Sequence, residues 1–194
     1  PPVPYAAGRN ATRVIVGDWD RDGKLDLATL HVEGVSALLG KGDGTFKPPV
    51  TYAAGPDLNA LASGDFDGDG KLDLVATSKT LTRQGSAALL LGKGDGTFRP
   101  VTHHGAGHSG GDQAVSADLD GDGKLDLVLA NGGFHLLTWL RGKGDGTFHD
   151  PRDYPVASLP KGLIVTDRDQ DGRLDVVLVH AYPRAVTQLL QRCR

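Results

Sequence analysis

The chain has 194 residues, of which 39% are hydrophobic, and a formal net charge of -3. These values are ordinary for one globular domain with a sizeable core. Lys and Arg are scattered rather than clustered, so no nucleic acid or acidic lipid is implied as a partner, and no apolar run is long enough to predict membrane insertion.

The composition and the ends of the chain bear on its processing and on crosslinking. There is no Met and no recognisable signal peptide, so we expect a processed or excised segment. The single cysteine, Cys193, excludes an internal disulfide and leaves a crosslink to a second chain open.

The first predicted element is an outer strand that lacks its own sheet. Pro-Pro-Val-Pro-Tyr-Ala-Ala-Gly at 1–8 copies Pro-Pro-Val-Thr-Tyr-Ala-Ala-Gly at 48–55, where a complete repeat unit ends. The copy indicates that 1–8 is an outer strand that belongs beside a sheet formed elsewhere in the chain.

The next elements form one complete unit. A β-rich segment at 13–16 leads into an acidic loop that begins at Asp18, and two apolar runs follow. A Gly-Lys-Gly-Asp-Gly-Thr-Phe turn at 40–46 then precedes a strand that ends at Tyr52. These short β-branched or Leu-rich runs show no sustained helical periodicity, so we predict four antiparallel strands.

The unit recurs along the whole chain. The first Asp of the acidic loop appears at 18, 65, 118 and 167, which divides a single domain, 1–194, into repeat units at about 9–55, 56–105, 106–157 and 158–194 plus 1–8. Four-stranded units of this length are typical of β-propeller blades. We therefore predict an all-β propeller of four-stranded antiparallel blades.

The two ends of the chain predict how the ring closes. The chain stops where the last Gly-Asp-Gly turn should begin, and 1–8 supplies the outer strand that the last blade then lacks. Closure by this N-terminal strand would remove two exposed sheet edges. Two chains that form eight blades, or a piece of a larger ring, are the alternatives, so we expect a monomer or a homodimer.

The acidic loop, Asp-x-Asp-x-Asp-Gly-x-Leu-Asp, is the strongest indication of chemistry. Ca²⁺ takes six to eight oxygen ligands, which a tight loop can supply from carboxylates at positions 1, 3, 5 and 9 and a backbone carbonyl at position 7, with Gly at position 6 for the turn. The predicted carboxylate ligands are Asp18, Asp20, Asp22 and Asp26; Asp65, Asp67, Asp69 and Asp73; Asp118, Asp120, Asp122 and Asp126; and Asp167, Asp169, Asp171 and Asp175. The predicted carbonyl ligands are those of Lys24, Lys71, Lys124 and Arg173, whose side chains we expect in water.

Alternatives to these calcium loops are weaker. An EF-hand needs an acid at position 12, where this chain has Thr or an apolar residue. Acidic turns without an ion and a catalytic calcium are two further alternatives. A motif that occurs in every unit is typical of scaffold. We therefore expect about four Ca²⁺ ions with a mainly structural role. Arg168 replaces an apolar residue in the last loop, which predicts looser packing there.

With these loops and the Gly-Lys-Gly-Asp-Gly-Thr-Phe turns between them, the chain resembles FG-GAP/VCBS repeats over essentially its whole length. The resemblance implies a propeller like those of integrin alpha subunits, fungal lectins and secreted bacterial proteins, with calcium in the loops and recognition elsewhere. Such propellers usually have seven blades, so four repeats depart from the pattern. Loops of this kind fill where calcium is near millimolar, which favours a secreted, extracellular or periplasmic setting.

The connectors between units and the loops between second and third strands vary from unit to unit and should share the face opposite the acidic loops. On this face Phe134, His135 and Tyr182 are our candidates for ligand contact. His31 and His180 occupy equivalent places and form a second candidate, a ligand or transition-metal site.

Two short motifs are better explained by structure. Gly-His-Ser-Gly-Gly at 107–111 matches a nucleophile elbow, but no helix is predicted after it. The Lys-Gly-Asp triplets resemble adhesion tripeptides, yet Asp-Gly is favoured in tight hairpins for backbone reasons.

We therefore predict a non-enzymatic, calcium-binding recognition or adhesion module for glycans or protein surfaces. A strict lectin with repeated sugar pockets, or the propeller part of a secreted polysaccharide-degrading enzyme, are the alternatives.

Overall fold

The computed structural model describes residues 3–78, 85–108, 110–182 and 184–189, and this part of the chain is all-β, as predicted. No helix here has the length and apolar character of a membrane span. The strands are β1 (Arg13–Gly17), β2 (Asp26–His31), β3 (Gly34–Leu38), β4 (Val50–Tyr52), β5 (Leu58–Gly64), β6 (Asp73–Ser78), β7 (Ser86–Leu90), β8 (Thr102–Gly105), β9 (Gln113–Ala117), β10 (Asp126–Asn131), β11 (Leu136–Leu140), β12 (Arg152–Pro155), β13 (Pro160–Thr166), β14 (Asp175–His180) and β15 (Ala185–Leu189).

The strands form four antiparallel sheets in chain order. The first three sheets, β1–β4, β5–β8 and β9–β12, have four strands each, and the fourth, β13–β15, has three among the described residues. Each sheet lies within one of the predicted repeat units. The strands stay short because an acidic loop or a Gly-rich turn interrupts every apolar run.

The core lies between successive sheets. Alternation along each strand places apolar side chains on both faces, and β6 and β10 are buried at every position. One cluster joins the first and second sheets and includes Leu30 and Leu74, and equivalent clusters join the second to the third and the third to the fourth. The first strands of neighbouring sheets also contact one another, so the sheets follow a common axis.

The N-terminal segment lies against the first sheet. Tyr5 packs edge-to-face on Phe46, with ring centroids 5.1 Å apart, just as Tyr52 of β4 packs on Phe98 of the second sheet at 5.2 Å. The Thr29 hydroxyl also donates to the Ala7 carbonyl at 2.8 Å. The segment thus occupies the place that an outer strand takes beside the next sheet, but residues 3–8 form no strand.

Closure of the ring by this segment is not observed. Among the described residues β15 is paired with β14 alone, and the fourth sheet has no fourth strand. Closure therefore stays a prediction, and Cys193 and the first two residues lie outside the described part.

Each connector turns through a left-handed residue eight positions before the first loop Asp. Asn10, Asp57, Gly110 and Leu159 have φ of 54°, 54°, 57° and 54°. Gly, Asn and Asp tolerate this conformation, whereas Leu is strained there.

Leu159→Asn should therefore stabilise the protein by about 1 kcal/mol, because Asn adopts the left-handed conformation at lower cost. Urea unfolding followed by circular dichroism measures the change. The reciprocal variant Asn10→Leu is the matched control and should lose a similar amount of unfolding free energy. If both variants changed this free energy in the same direction, backbone strain at position 159 would not be the cause.

Candidate metal centres and the connector face

Each acidic loop joins the first and second strands of its sheet and is closed by its own first Asp. In the first loop, Asp18 accepts hydrogen bonds from the backbone N–H groups of Asp22 at 3.1 Å and Gly23 at 3.0 Å. The other three loops make the same pair of bonds. The loop conformation is therefore determined locally by residue type and spacing.

Two positions of each loop are left-handed. The predicted Gly at position 6 has φ between 79° and 85° in all four copies. Position 4 is also left-handed, with φ of 59° at Arg21, 61° at Gln170 and 73° at Gly68 and Gly121. The sequence pattern did not predict this second turn, although Gly at position 4 in two of the loops was a usable signal.

The loops gather carboxylates as a hard cation requires. In every copy three carboxylates offer oxygens that lie within 4.8 Å of one another. The groups are Asp18, Asp20 and Asp22; Asp65, Asp67 and Asp73; Asp118, Asp120 and Asp122; and Asp167, Asp169 and Asp175.

Two oxygens in these groups test whether the residues fit a cation. Asp20 Oδ1 and Asp120 Oδ1 are buried and have no hydrogen-bond partner among the residues described. A buried acceptor without a partner is costly, and an all-oxygen set is what Ca²⁺ prefers. The residues present therefore fit a bound Ca²⁺.

The ninth-position Asp has a structural role that sequence analysis did not assign. Fully buried Asp26 accepts the backbone N–H of Trp19 at 2.9 Å and that of Gly40 at 2.7 Å, so it ties the loop to the end of β3. Asp73 and Asp126 make the equivalent pairs of bonds.

Burial of these carboxylates disfavours their charged form. It raises the pKa of Asp26 and Asp126, and raises that of Asp73 to about 6, against the opposing effect of the backbone N–H donors. Neighbouring acids of the same loop add to the rise. The backbone hydrogen bonds of these three carboxylates therefore only partly offset the cost of burying them.

Basic side chains lie beside three of the loops. Lys24 and Lys71 each place Nζ 2.7 Å from the Asp two residues earlier, rather than only in water as expected. Arg99 reaches two acids of the second loop at 3.3 Å, and Arg141 contacts two of the third. The ligand role of the position-7 carbonyls stays a prediction.

The acidic loops also hold neighbouring sheets together. The backbone carbonyl of Trp19 accepts the N–H of Gly96, in the turn of the second sheet, at 3.1 Å. Phe66 accepts from Gly146 at 3.0 Å and packs on Phe148 with ring centroids 5.8 Å apart. The Lys-Gly-Asp turns use their Asp side chains to bond Thr within the same turn, which is the structural role that the sequence favoured.

His31 and His180 are buried anchors at the connector face. His31 Nε2 lies 2.8 Å from Ser36 Oγ, and its ring packs so closely on Gly8 that a Cβ there would lie 2.2 Å from the ring. His180 Nδ1 lies 3.2 Å from the carbonyl of Ser158. Neither ring belongs to a group of three or more potential metal ligands in the part of the chain described, so their transition-metal site stays a hypothesis.

Phe134, His135 and Tyr182 lie near one connector. The N–H of Leu159 donates to His135 Nδ1 at 3.0 Å, and the Ser158 hydroxyl donates to the Tyr182 carbonyl. The Tyr182 residue is 71% exposed. The backbone N–H of half-buried Phe134 donates to Asn131 at 3.3 Å, which fixes the turn before His135. Their role in ligand contact stays a prediction.

A cavity of about 370 Å³ opens between the first and second sheets on this face, and sequence analysis missed it apart from His31. Its lining is Asn10, Thr12, His31, Val32, Pro56, Asp57 and Leu58. The equivalent polar connector residues Asn10 and Asp57 were the available signal.

Two further cavities lie between the third and fourth sheets. One of about 230 Å³ is almost wholly apolar and includes Leu119, Trp139 and Tyr154 in its lining. The other, about 530 Å³, lies between the two acidic loops. The first lacks the hydrogen-bonding groups that a polar ligand needs.

The nucleophile-like motif has no support in the described residues. His108 Nδ1 lies 2.5 Å from Asp153, which also accepts the Thr138 hydroxyl at 2.5 Å. Ser109 lies outside the described residues, and the strand β9 rather than a helix follows the motif.

The buried ninth-position Asp gives a prediction that is independent of metal. Asp73→Asn should cost roughly 1 to 3 kcal/mol of unfolding free energy in EDTA, because the amide can accept only one of the two backbone N–H bonds. Asp69→Asn, at an exposed position of the same loop, is the control and should change stability far less in urea titrations. Equal losses of unfolding free energy in the two variants would rule out this role of Asp73 in joining the loop to the end of the third strand.

Comparison with known proteins agrees with this architecture. The model of the FG-GAP-like repeat matches three times, at residues 18–76, 65–129 and 118–178. No curated protein matches the chain.

One similar solved structure has 27% sequence identity to this chain and a TM-score of 0.61. It is described as the structural basis of specific recognition of non-reducing terminal N-acetylglucosamine by an Agrocybe aegerita lectin. The similarity covers 84% of this chain and 45% of that chain, so this chain spans about half of its length. Repeats matched across 18–178 show that the chain belongs to the FG-GAP-like repeat family.

Proposed function

We propose that this protein is a calcium-binding, non-enzymatic recognition module that binds glycans at its connector face. The observation that carries the proposal is the 27% identity, with a TM-score of 0.61, to a lectin structure described by its recognition of terminal N-acetylglucosamine. The family match supports the same class of function, because repeats of one scaffold leave recognition to their variable loops.

Calcium is the first part of the proposal. The clustered carboxylates at positions 1, 3, 5 and 9 would hold one ion in each loop, supported by the unpartnered oxygens of Asp20 and Asp120. A bound ion supplies positive charge to a loop whose acids otherwise repel. We assign it a structural role, and loops of this kind suit a secreted or periplasmic protein because calcium there is near millimolar.

The glycan site is the second part. The cavity between the first and second sheets combines the amide of Asn10, the hydroxyl of Thr12 and the carboxylate of Asp57 with apolar walls. Sugars present hydroxyl groups beside patches of C–H, so they need convergent polar groups on an apolar surface. The connector residues supply both kinds of surface.

An enzymatic role has less support. Outside the acidic loops, two acid and base pairs lie close together in the described residues, His108 with Asp153 and His31 with Glu33. The hydroxyl beside the first pair, that of Thr138, donates to Asp153 rather than to His108. An assay on acidic polysaccharides with and without chelator tests the alternative of a degrading enzyme.

Removal of calcium should lower stability. Each site stabilises the fold by about 2.7 kcal/mol when free calcium is 100 times its dissociation constant, so EDTA should reduce the melting temperature, and Asp20→Asn should remove one ion from the calorimetric stoichiometry. Asp43→Asn, in a turn of the same face, is the control and should retain every ion. An unchanged melting temperature in EDTA, with no heat of calcium binding, would refute the metal proposal.

Binding of N-acetylglucosamine-terminated oligosaccharides on a glycan array should depend on the connector cavity. Asp57→Gly keeps the left-handed backbone but removes a charged hydrogen-bond acceptor, so titration calorimetry should show at least about a tenfold loss of affinity. His149→Ala, on the opposite face, should bind as the unaltered protein does. Undiminished binding by Asp57→Gly would place the sugar elsewhere.

A further inference from the structure

We propose that Lys47, Arg99 and Arg141 are counter-ions of the first three acidic loops, which stabilise these loops in calcium-free solution and compete with the ion for their carboxylates. The inference rests on the calcium part of the proposed function and concerns how strongly that ion is held. It begins from one contact that recurs in three sheets although the residues that make it differ.

Each of these side chains reaches the same oxygen of its own loop, Oδ2 of the Asp at position 3. The pairs are Lys47 with Asp20 at 3.4 Å, Arg99 with Asp67 at 3.3 Å, and Arg141 with Asp120. In Asp20 and Asp120 the other oxygen, Oδ1, is buried without a partner among the described residues. In these two loops the position-3 Asp therefore gives one oxygen to a cation of the protein and keeps the other for a ligand.

The two Arg side chains also reach a second acid, at position 5. Arg99 Nη2 lies 3.3 Å from Asp69 Oδ2, and Arg141 Nη2 lies 2.9 Å from Asp122 Oδ2. A guanidinium carries its donors in a planar fork, so it can bind two carboxylates at once. Positions 3 and 5 are predicted calcium ligands, so each Arg binds acids that the ion would also bind.

The cation comes from either of two neighbouring places in the sheet. Arg99 follows the Phe of its Gly-Asp-Gly turn, and His149 takes this place in the third sheet. Arg141 lies before the turn, where the second sheet has Leu91. A backbone hydrogen bond joins the two places, from the Arg99 N–H to the Leu91 carbonyl at 2.8 Å and from the His149 N–H to the Arg141 carbonyl at 2.9 Å. Because the places are neighbours, a basic side chain from either one reaches the same acids.

Electrostatics gives these cations two opposite effects. The second loop has four carboxylates within nine residues, which repel one another, so Arg99 stabilises the calcium-free loop. The same charge repels a divalent ion and occupies acids that the ion needs, so it lowers calcium affinity. The Asp67 side chain is only 11% exposed, so solvent screens its pair with Arg99 less than it screens a pair on the open surface.

Arg99→Gln tests the proposal, because it removes the charge and keeps a polar side chain. Calcium titration followed by heteronuclear NMR resolves the loops, since each has one glycine amide at position 6. At the Gly70 signal the dissociation constant should fall about fivefold at low ionic strength, whereas at the Gly23 signal it should not change. In EDTA the melting temperature should fall by about 2 °C. Lys161→Gln, which removes an exposed cation near the start of β13 at the opposite face, is the control and should leave the Gly70 titration unchanged.

Moving a charge within the third sheet separates its effect from that of packing. Arg141→Leu introduces the residue of the second sheet and should tighten calcium binding at the Gly123 signal. Adding His149→Arg restores a guanidinium at the place that Arg99 has in the second sheet, so it should reverse the gain. Both differences should shrink at about 1 M KCl, where the Debye length is about 3 Å. Circular dichroism checks that every variant is folded.

The outcomes separate this inference from the proposed function. If the unaltered protein binds calcium and Arg99→Gln binds it no more tightly, or more weakly, the side chain positions the ligands rather than competing for them, and the inference is wrong. The calcium part of the proposed function would survive that result. If the unaltered protein binds no calcium, both are wrong.

Discussion

A buried carboxylate holds each of the first three sheets and its acidic loop in one geometry. The ninth-position Asp begins the second strand and binds two backbone N–H groups, one at the start of the loop and one at the end of the third strand. These donors would otherwise lie in the core without a partner, which is costly. The price of the arrangement is a buried negative charge, seen in the raised pKa of Asp73. A cation in the adjacent loop would offset that charge, so the calcium proposal and the fold depend on the same side chain.

The same loops couple one sheet to the next. The position-2 residue donates its N–H to the ninth-position Asp, while in the first two loops its carbonyl accepts from the following sheet. The position-2 residue therefore joins the hydrogen bonds of its own loop to the junction with the next sheet. On the opposite face the contacts between sheets are not repeated in the same form, as where the Asn59 amide of the second sheet donates to Asp112 before the third at 2.8 Å. Recognition can vary there without loss of the scaffold.

Repetition also explains the ends of the row. Every sheet presents two apolar faces, since its neighbours cover both in the interior of the array. The first and last sheets retain the same pattern and leave Val14 and Val186 in water. Chains built from such units need a cap, a closure or a partner. Here both end faces are apolar, as the faces that pack on a neighbouring sheet are in the interior of the row.

The sequence by itself determined the strands, the four units and the conformation of the acidic loops. These features depend on local rules: Asp18 reaches N–H groups only four and five residues away, and Gly23 supplies a left-handed turn. Only the tertiary structure decided what distant residues do. His31 is a buried anchor because Gly8 comes from another part of the chain to pack on it, and the connector cavity exists because Asn10 and Asp57 meet across two sheets. Such contacts depend on how sheets pack around an axis, and the angle of that packing is encoded in no single repeat.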